Sequence, residues 1–336
     1  MRRRFLQQTT GLAAALALPR LARASTAKLP KLVLAGPFAA VSNPFYRMVD
    51  SGALSDVAET VEMRPWKDPD QLRALALDPK APAHFMAMPS NVAANLYNRG
   101  VRLQLINIST WGVLWMVSRQ AGLKTLADFK GKEIVMPFRA DMPEIVFQAL
   151  VQQQGLDARK DFQLRYVSNP LDAMQLLITR RADHALLAEP AVSVALRKTQ
   201  SFPISVVAPT LHRSVDLQAE WGRLFKRPAR IPQAGIVAMG AMVERPDVIQ
   251  KVQSAYAAAL LWCEEQPDAC GQLVAGQVKM LTPEGVADSV RVDNTAFVTA
   301  ADARAELAFF FRLLYERQPA LLGGKLPDTG FYLGAG

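Results

Sequence analysis

The chain has 336 residues, half of them hydrophobic, and a net charge of +9 from 39 basic against 30 acidic side chains. That length and apolar content support a substantial buried core and two lobes rather than one. The positive balance alone would suggest a nucleic-acid partner, but five arginines (Arg2, Arg3, Arg4, Arg20, Arg23) fall in the first 24 residues, and without them the net charge drops to +4.

Those first residues, MRRRFLQQTTGLAAALALPRLARAS, have the form of an export signal: a positive start, a short apolar stretch from Gly11 to Leu18, and a cleavage site at Ala22-Arg23-Ala24. Arg2-Arg3-Arg4-Phe5-Leu6 fits the twin-arginine address. The apolar stretch, about eight residues, is far below the roughly 20 a membrane span needs, and no cysteine follows it to carry a lipid. Residues 1–24 are therefore expected to be a removed signal peptide and the remainder a soluble periplasmic protein. The other basic pairs, Arg180-Arg181, Arg197-Lys198 and Lys226-Arg227, stand near predicted helix ends without interleaved aromatics. They read as solvated surface, so no nucleic-acid partner is expected.

In the mature chain, Lys31 to Gly36 reads as the first strand. The breakers Gly36-Pro37 and Ser42-Asn43-Pro44 after it mark a turn into a helix. Phe45 and Tyr46 beyond that turn can stack on a planar ligand or simply pack in the core. Thr60 to Trp66 is the next strand, followed by a helix capped by Asp68-Pro69-Asp70-Gln71, and Ala83 to Met88 is the third strand. Pro89-Ser90-Asn91 opens a helix that ends near Asn98, with Gly100 supplying the left-handed turn. Val101 to Asn107 is a strand. After Ser109-Thr110-Trp111-Gly112, the apolar run Val113 to Val117 is expected to cross from the first lobe to the second.

The stretch Leu123 to Ala191 is the most regular part of the chain. Apolar runs at Glu133–Pro137, Phe162–Val167 and Ala182–Leu187 alternate with helical segments, the pattern of a parallel sheet. Asp141 is an N-cap candidate, with Pro143 in the first turn and Glu144 placed to complete a capping box. Arg139 and Ala140 then occupy a tight turn beside free backbone N–H groups and the positive end of a helix dipole, a place that suits an anionic group. Glu189-Pro190 closes the third run and opens a further helix. Beyond it, Ile204 to Val207 reads as a strand, Arg213 to Gly222 as a mixed segment near a second crossing, and Ile236 to Met239 as a strand that returns to the first lobe. Asp247 to Glu265, Pro283 to Val290 and Ala301 to Arg317 have helical periodicity.

The spacing TLADFKGKEIVMP, then GLD, then RADHALLAEP resembles the periplasmic solute-binding proteins of ABC importers for sulfonates, taurine, nitrate and thiamine-pyrimidine precursors. MPSNVAANLYNRGVRLQLINISTWGVLWMVS upstream and IPQAGIVAM downstream fit the same pattern. The resemblance implies an α/β, two-lobed periplasmic binding protein type II fold, each lobe a mainly parallel sheet flanked by helices. Lobe I would comprise 25–115 with 235–336 and lobe II 116–234. It also implies a monomeric receptor that captures a small molecule, hands it to an inner-membrane permease, and uses no cofactor. Cleft residues expected on this basis are Ser42, Asn43 and Phe45 in the first turn, Ser90 and Asn91 at a helix start, Thr110 with Trp111 as aromatic platform (Trp115 second choice), and Arg139, Ala140, Asp141 and Glu189. Arg139 favours an anion such as a sulfonate, which is the ligand class expected, with a heterocycle as the alternative. Trp111, Phe45 and Glu189 favour a pyrimidine-like heterocycle.

No metal site is expected, because His84, His184 and His212 are far apart without partner ligands at short spacing; each reads as structural. Cys263 and Cys270 either form a short-loop disulfide or remain two thiols. Chemistry has little to work with: there is no Gly-x-Ser-x-Gly elbow, phosphate loop or Cys near a His. Asp141 and Glu189 could act as acid and base, but a helix cap and a residue before a proline explain them more simply. An exported enzyme of the same fold is the alternative reading.

Overall fold

The computed structural model describes residues 28–78 and 83–334; the expected signal peptide lies outside them. In chain order the elements are β1 (Leu29–Pro37), α1 (Asn43–Asp50), β2 (Ala58–Trp66), α2 (Pro69–Leu77), β3 (Phe85–Pro89), α3 (Ser90–Asn98), β4 (Leu103–Thr110) and β5 (Leu114–Ser118). Then come β6 (Glu133–Pro137), α4 (Met142–Gln153), β7 (Gln163–Val167), α5 (Pro170–Ile178), β8 (His184–Ala188), α6 (Ala191–Gln200), β9 (His212–Asp216) and α7 (Leu217–Phe225). The chain closes with β10 (Ala234–Met239), α8 (Pro246–Glu265), α9 (Pro267–Gln277), α10 (Pro283–Val292), β11 (Thr295–Thr299) and α11 (Arg304–Arg317).

The strands form two sheets, ordered β11-β4-β10-β3-β1-β2 and β7-β6-β8-β5-β9. In the first, β1 runs parallel to β2 and β3 while β10 runs antiparallel to β3 and β4. In the second, β6 is parallel to β7 and β8 while β5 is antiparallel to β8 and β9. Strand β6 is buried from Ile134 to Pro137, as a central parallel strand covered by helices on both faces must be. Its continuous apolar run is what made it legible.

Local chemistry explains the helix starts. The Asp68 carboxylate accepts from the N–H groups of Asp70 and Gln71, Asn169 from Asp172, and Asp216 from Gln218 and Ala219. In both expected capping boxes the return contact lands one residue earlier than anticipated: Gln71 accepts from Lys67 N–H and Glu144 from Ala140 N–H. Gly100 is left-handed at φ 90° after α3, as a helix end requires.

The structure corrects one local reading and adds detail to three others. Ile204–Val206 is an exposed 3-10 turn, not a strand; β propensity does not prevail where no neighbouring strand offers a ladder. The mixed segment at 213–222 is strand β9 running into α7 under the Asp216 cap. Pro267 starts a separate helix, α9, and Cys263 and Cys270 are joined across the α8–α9 elbow by a disulfide. Strand β11, a short half-buried edge strand on β4, was not anticipated. The pair α9–α10 packs against α6 of the second sheet, and Cys270, Val274 and Val286 share a core with Leu187 and Val192.

The chain passes between the sheets at 111–113 and at 226–233, leaves the first sheet again at the α8–α9 elbow, and returns at 293–294; the first, second and last of these lie side by side. These passages are bonded to one another: Trp111 N–H donates to Asn294 O at 2.7 Å, Asn294 N–H to Gly112 O at 3.3 Å, and Gln233 N–H to Thr110 O at 3.0 Å. Gly112 sits at φ 146° with the Gln218 side chain where a Cβ would be, so only glycine fits there. Among the described residues no helix is long and apolar enough to cross a membrane.

Candidate functional site

The carboxyl ends of the parallel strands from both sheets meet at one cavity of about 80 Å³. From the first sheet it is lined by Pro37 at the end of β1, Trp66 at the end of β2, Met88 and Pro89 at the end of β3, and Thr110 at the end of β4. Ala39 to Val41 and Gln233-Ala234 complete that wall. From the second sheet come Val113 and Leu114, Phe138 and Asp141 to Pro143 after β6, Pro170 after β7, and Ala188 at the end of β8. Ligands of open α/β sheets collect at strand carboxyl ends. The volume is well below the roughly 300–1,000 Å³ of drug-sized pockets, so this conformation admits only a small molecule.

The walls are mainly apolar, and the polar groups among them are Thr110, Asp141 and Gln233. The Thr110 hydroxyl is buried without a hydrogen-bond partner, a state that costs about 1–3 kcal/mol unless something in the cavity satisfies it. Gln233 uses its amide oxygen to accept from Val113 N–H at 3.0 Å. Asp141 caps α4, accepting from Met142 N–H at 2.7 Å, and is 5% exposed. Burial pushes its carboxyl up to about 6, against the lowering effects of the Met142 hydrogen bond and the Arg73 charge. Phe138 and Ala140, on either side of Arg139, both hold φ 58°, a conformation that costs non-glycine residues energy and clusters at functional sites.

Of the residues expected in the cleft, Thr110 and Asp141 line the cavity. Ser42 and Asn43 are buried just behind the 39–41 wall, with the Ser42 hydroxyl unpartnered. Phe45 is core, edge-on to Tyr256 at 5.5 Å. Ser90 donates to Pro232 O at 2.6 Å and so ties α3 to the passage before β10; Asn91 is buried next to it. Trp111 is 1% exposed, donates its Nε1–H to Ala296 O at 3.0 Å and lies under Arg230. Trp115 lies under Arg213. Arg139 and Ala140 are exposed, and Arg139 stacks on Tyr166 in an outer groove shared with Asp68, Asp70 and Arg73.

Glu189 is 1% exposed and internally satisfied by Arg213 and by Ser193 N–H at 2.9 Å. Burial raises its carboxyl, Arg213 opposing. His84 and His184 are structural, bonded to Val33 N–H and Ser118 Oγ, and burial lowers both. The sequence reading missed Trp66, Phe138 and Gln233. Trp66 and Phe138 stand at or next to the end of an identified strand and Gln233 just ahead of another, and that position was the available signal.

Solved structures share this architecture. An ABC transporter protein from Parabacteroides distasonis matches at 22% identity, covering 90% of this chain and 98% of that one, with a TM-score of 0.71. The periplasmic aliphatic sulphonate binding protein SsuA from Escherichia coli matches at 15% identity over 89% and 92%, TM-score 0.67. The periplasmic nitrate-binding protein NrtA from Synechocystis matches at 12% over 82% and 74%, TM-score 0.62. At these identities the likeness is one of fold. No curated protein matches the chain by sequence. The molecule thus has the two-lobed α/β fold of periplasmic binding proteins, with its cavity between the lobes. The chain belongs to the NMT1/THI5-like family, whose model matches residues 101–270.

Proposed function

We propose that this chain is the extracytoplasmic substrate-binding receptor of an ABC importer, which captures a small molecule between two lobes and presents it to a membrane permease. The observation that carries this is the cavity itself, walled by strand ends of both sheets and set beside the passages that join them. Such a site closes when the lobes approach, which excludes water and lets each lobe contribute contacts. The fold neighbours named above, which include sulphonate- and nitrate-binding proteins, support the same role. On this reading lobe I is 25–115 with 235–336 and lobe II 116–234, with α9–α10 riding on lobe II. The arginine-led amino terminus supports export to the periplasm.

A receptor needs no chemistry, and the acid–base pair considered for an enzyme lacks a common site: Asp141 lines the cavity, whereas Glu189 is held by Arg213 and Ser193. An anion held by Arg139 would sit in the outer groove, not in the cavity. The test is a thermal-shift and tryptophan-fluorescence screen of the purified protein with sulfonates, nitrate and pyrimidines. We expect at least one compound to stabilise the protein without being consumed, with a fluorescence change that Trp66→Phe diminishes. Turnover of the bound compound would move the assignment to the exported-enzyme reading.

A further inference from the structure

The cavity is unusual in its charge. Asp141 is a carboxylate 95% buried among apolar walls, since its residual exposure is 5%. Its Oδ1 accepts one hydrogen bond, from Met142 N–H. Among the described residues no Lys, Arg or His lines the cavity, and no cation lies within ion-pair distance of Asp141. Arg73, whose charge still reaches Asp141, sits in the outer groove and pairs with Asp70 at 3.4 Å. Glu144, on the same helix, is spent on Ala140 N–H, Gln148 and Tyr166.

From this geometry, and resting on the receptor reading above, we infer that the ligand is a compact organic cation, a mostly apolar body carrying one protonated nitrogen that pairs with Asp141. A buried carboxylate without a counter-charge is expensive, and one supplied by the ligand relieves that cost when the cleft closes. A sulfonate or nitrate in the same cavity would instead face the Asp141 charge, offset only by the amino end of α4 and the more distant Arg73. Trp66 and Phe138 supply aromatic surface, which suits a desolvated ammonium or amidinium as well as the apolar body. The unpartnered Thr110 hydroxyl and the Gln233 amide nitrogen, for which the structure holds no hydrogen-bond acceptor among the described residues, are free for the neutral polar atoms of such a ligand.

The test uses pairs of equal shape and opposite charge: acetamidinium against acetate, and benzamidinium against benzoate. Calorimetric titration and thermal shift are run at pH 7.5 on the wild type and on Asp141→Asn, alongside nitrate and methanesulfonate. Asparagine preserves the cap on Met142 N–H, and circular dichroism confirms that the variant is folded. The expected result is that an amidinium probe binds the wild type, its carboxylate partner does not, and the variant loses roughly ten- to a hundredfold in amidinium affinity, the worth of a charge-assisted hydrogen bond. Equal amidinium affinity in wild type and variant overturns the inference. So does binding of the anions alone, tightened by Asp141→Asn, an outcome that leaves the receptor reading intact. If neither these probes nor the wider screen binds at all, the receptor reading itself falls and the inference with it.

Discussion

The turns after β6 and β8 belong to the same sheet, and each buries a carboxylate at the start of a helix. Glu189 is surrounded by what it needs: the Arg213 guanidinium, Ser193 N–H, and a Ser193 hydroxyl that accepts from the same arginine at 2.6 Å. Asp293, half-buried in the passage into β11, lies close by with its Oδ1 inaccessible and unpartnered, and its carboxyl is held well above the ordinary range by desolvation and by the Glu189 charge. Asp141 has one backbone N–H and an apolar cavity. Burial is nearly the same in the two cases, so burial does not mark a binding group. Between these two turns the inventory of partners differs, and the one that leaves its charge unpaired is the one that faces the cleft.

The largest expected effect comes from breaking the satisfied turn. Arg213→Met leaves Glu189 buried without its cation and should lower unfolding stability by about 3–5 kcal/mol at pH 7.5, read by urea denaturation. Because burial already raises Glu189, the deficit should shrink at pH 5.5, where the carboxyl can take up a proton. A loss under about 1 kcal/mol would mean that the Glu189 turn is no more self-sufficient than the Asp141 turn.

A smaller effect of opposite sign is expected at Asp141. Its folded value of about 6 lies above the ordinary 3.8, so the wild type gains stability as pH falls through 6 towards 4 and forgoes it at higher pH. Asp141→Asn lacks this term. Without ligand the variant should therefore be the more stable at pH 8, by up to about 3 kcal/mol at 1.36 kcal/mol per pKa unit, and the gap should narrow on acidification. Arg73 lowers Asp141 from across the cleft, so an arrangement that brings Arg73 into contact would reverse the result. The smallest effect belongs to Arg139→Ala. Its side chain is exposed and stacked on Tyr166 at 5.2 Å, so stability should fall by no more than about 1 kcal/mol and ligand affinity should stay within about threefold.

How much of this was readable in the chain depends on the range of the determining contacts. Strand β6 and the start of α4 are coded within a dozen residues: an apolar run, then Asp141, Pro143 and Glu144. They emerged as expected, apart from the one-residue offset of the Glu144 contact. Which indole faces the cavity is not local. Trp66 and Trp111 both follow strand signals, but Trp111 is pinned by Ala296 of β11, a strand too short and too exposed to register in the pattern, whereas Trp66 ends β2 against Pro37 of β1. The same holds for Ile204 to Val207, where an apolar, β-branched sequence turns outward with Val206 72% exposed. Among the described residues no strand neighbours that segment, and that is a fact of sheet order rather than of composition.

The passages between the sheets have a mechanical consequence. Thr110 to Gly112, Ile231, Gln233 and Asn294 are stitched edge to edge by backbone hydrogen bonds, so they behave as one narrow ribbon and not as independent tethers. A ribbon bends readily about the line across its width and resists in-plane shear far more than separate tethers would. The lobes would therefore swing like a door on a long hinge plate, and every closure would bring Asp141 back to the same facing residues. The spacing between the outer surfaces of the two lobes then becomes a single-valued gauge of whether the cleft is filled, a dimension that a membrane partner could measure without touching the ligand.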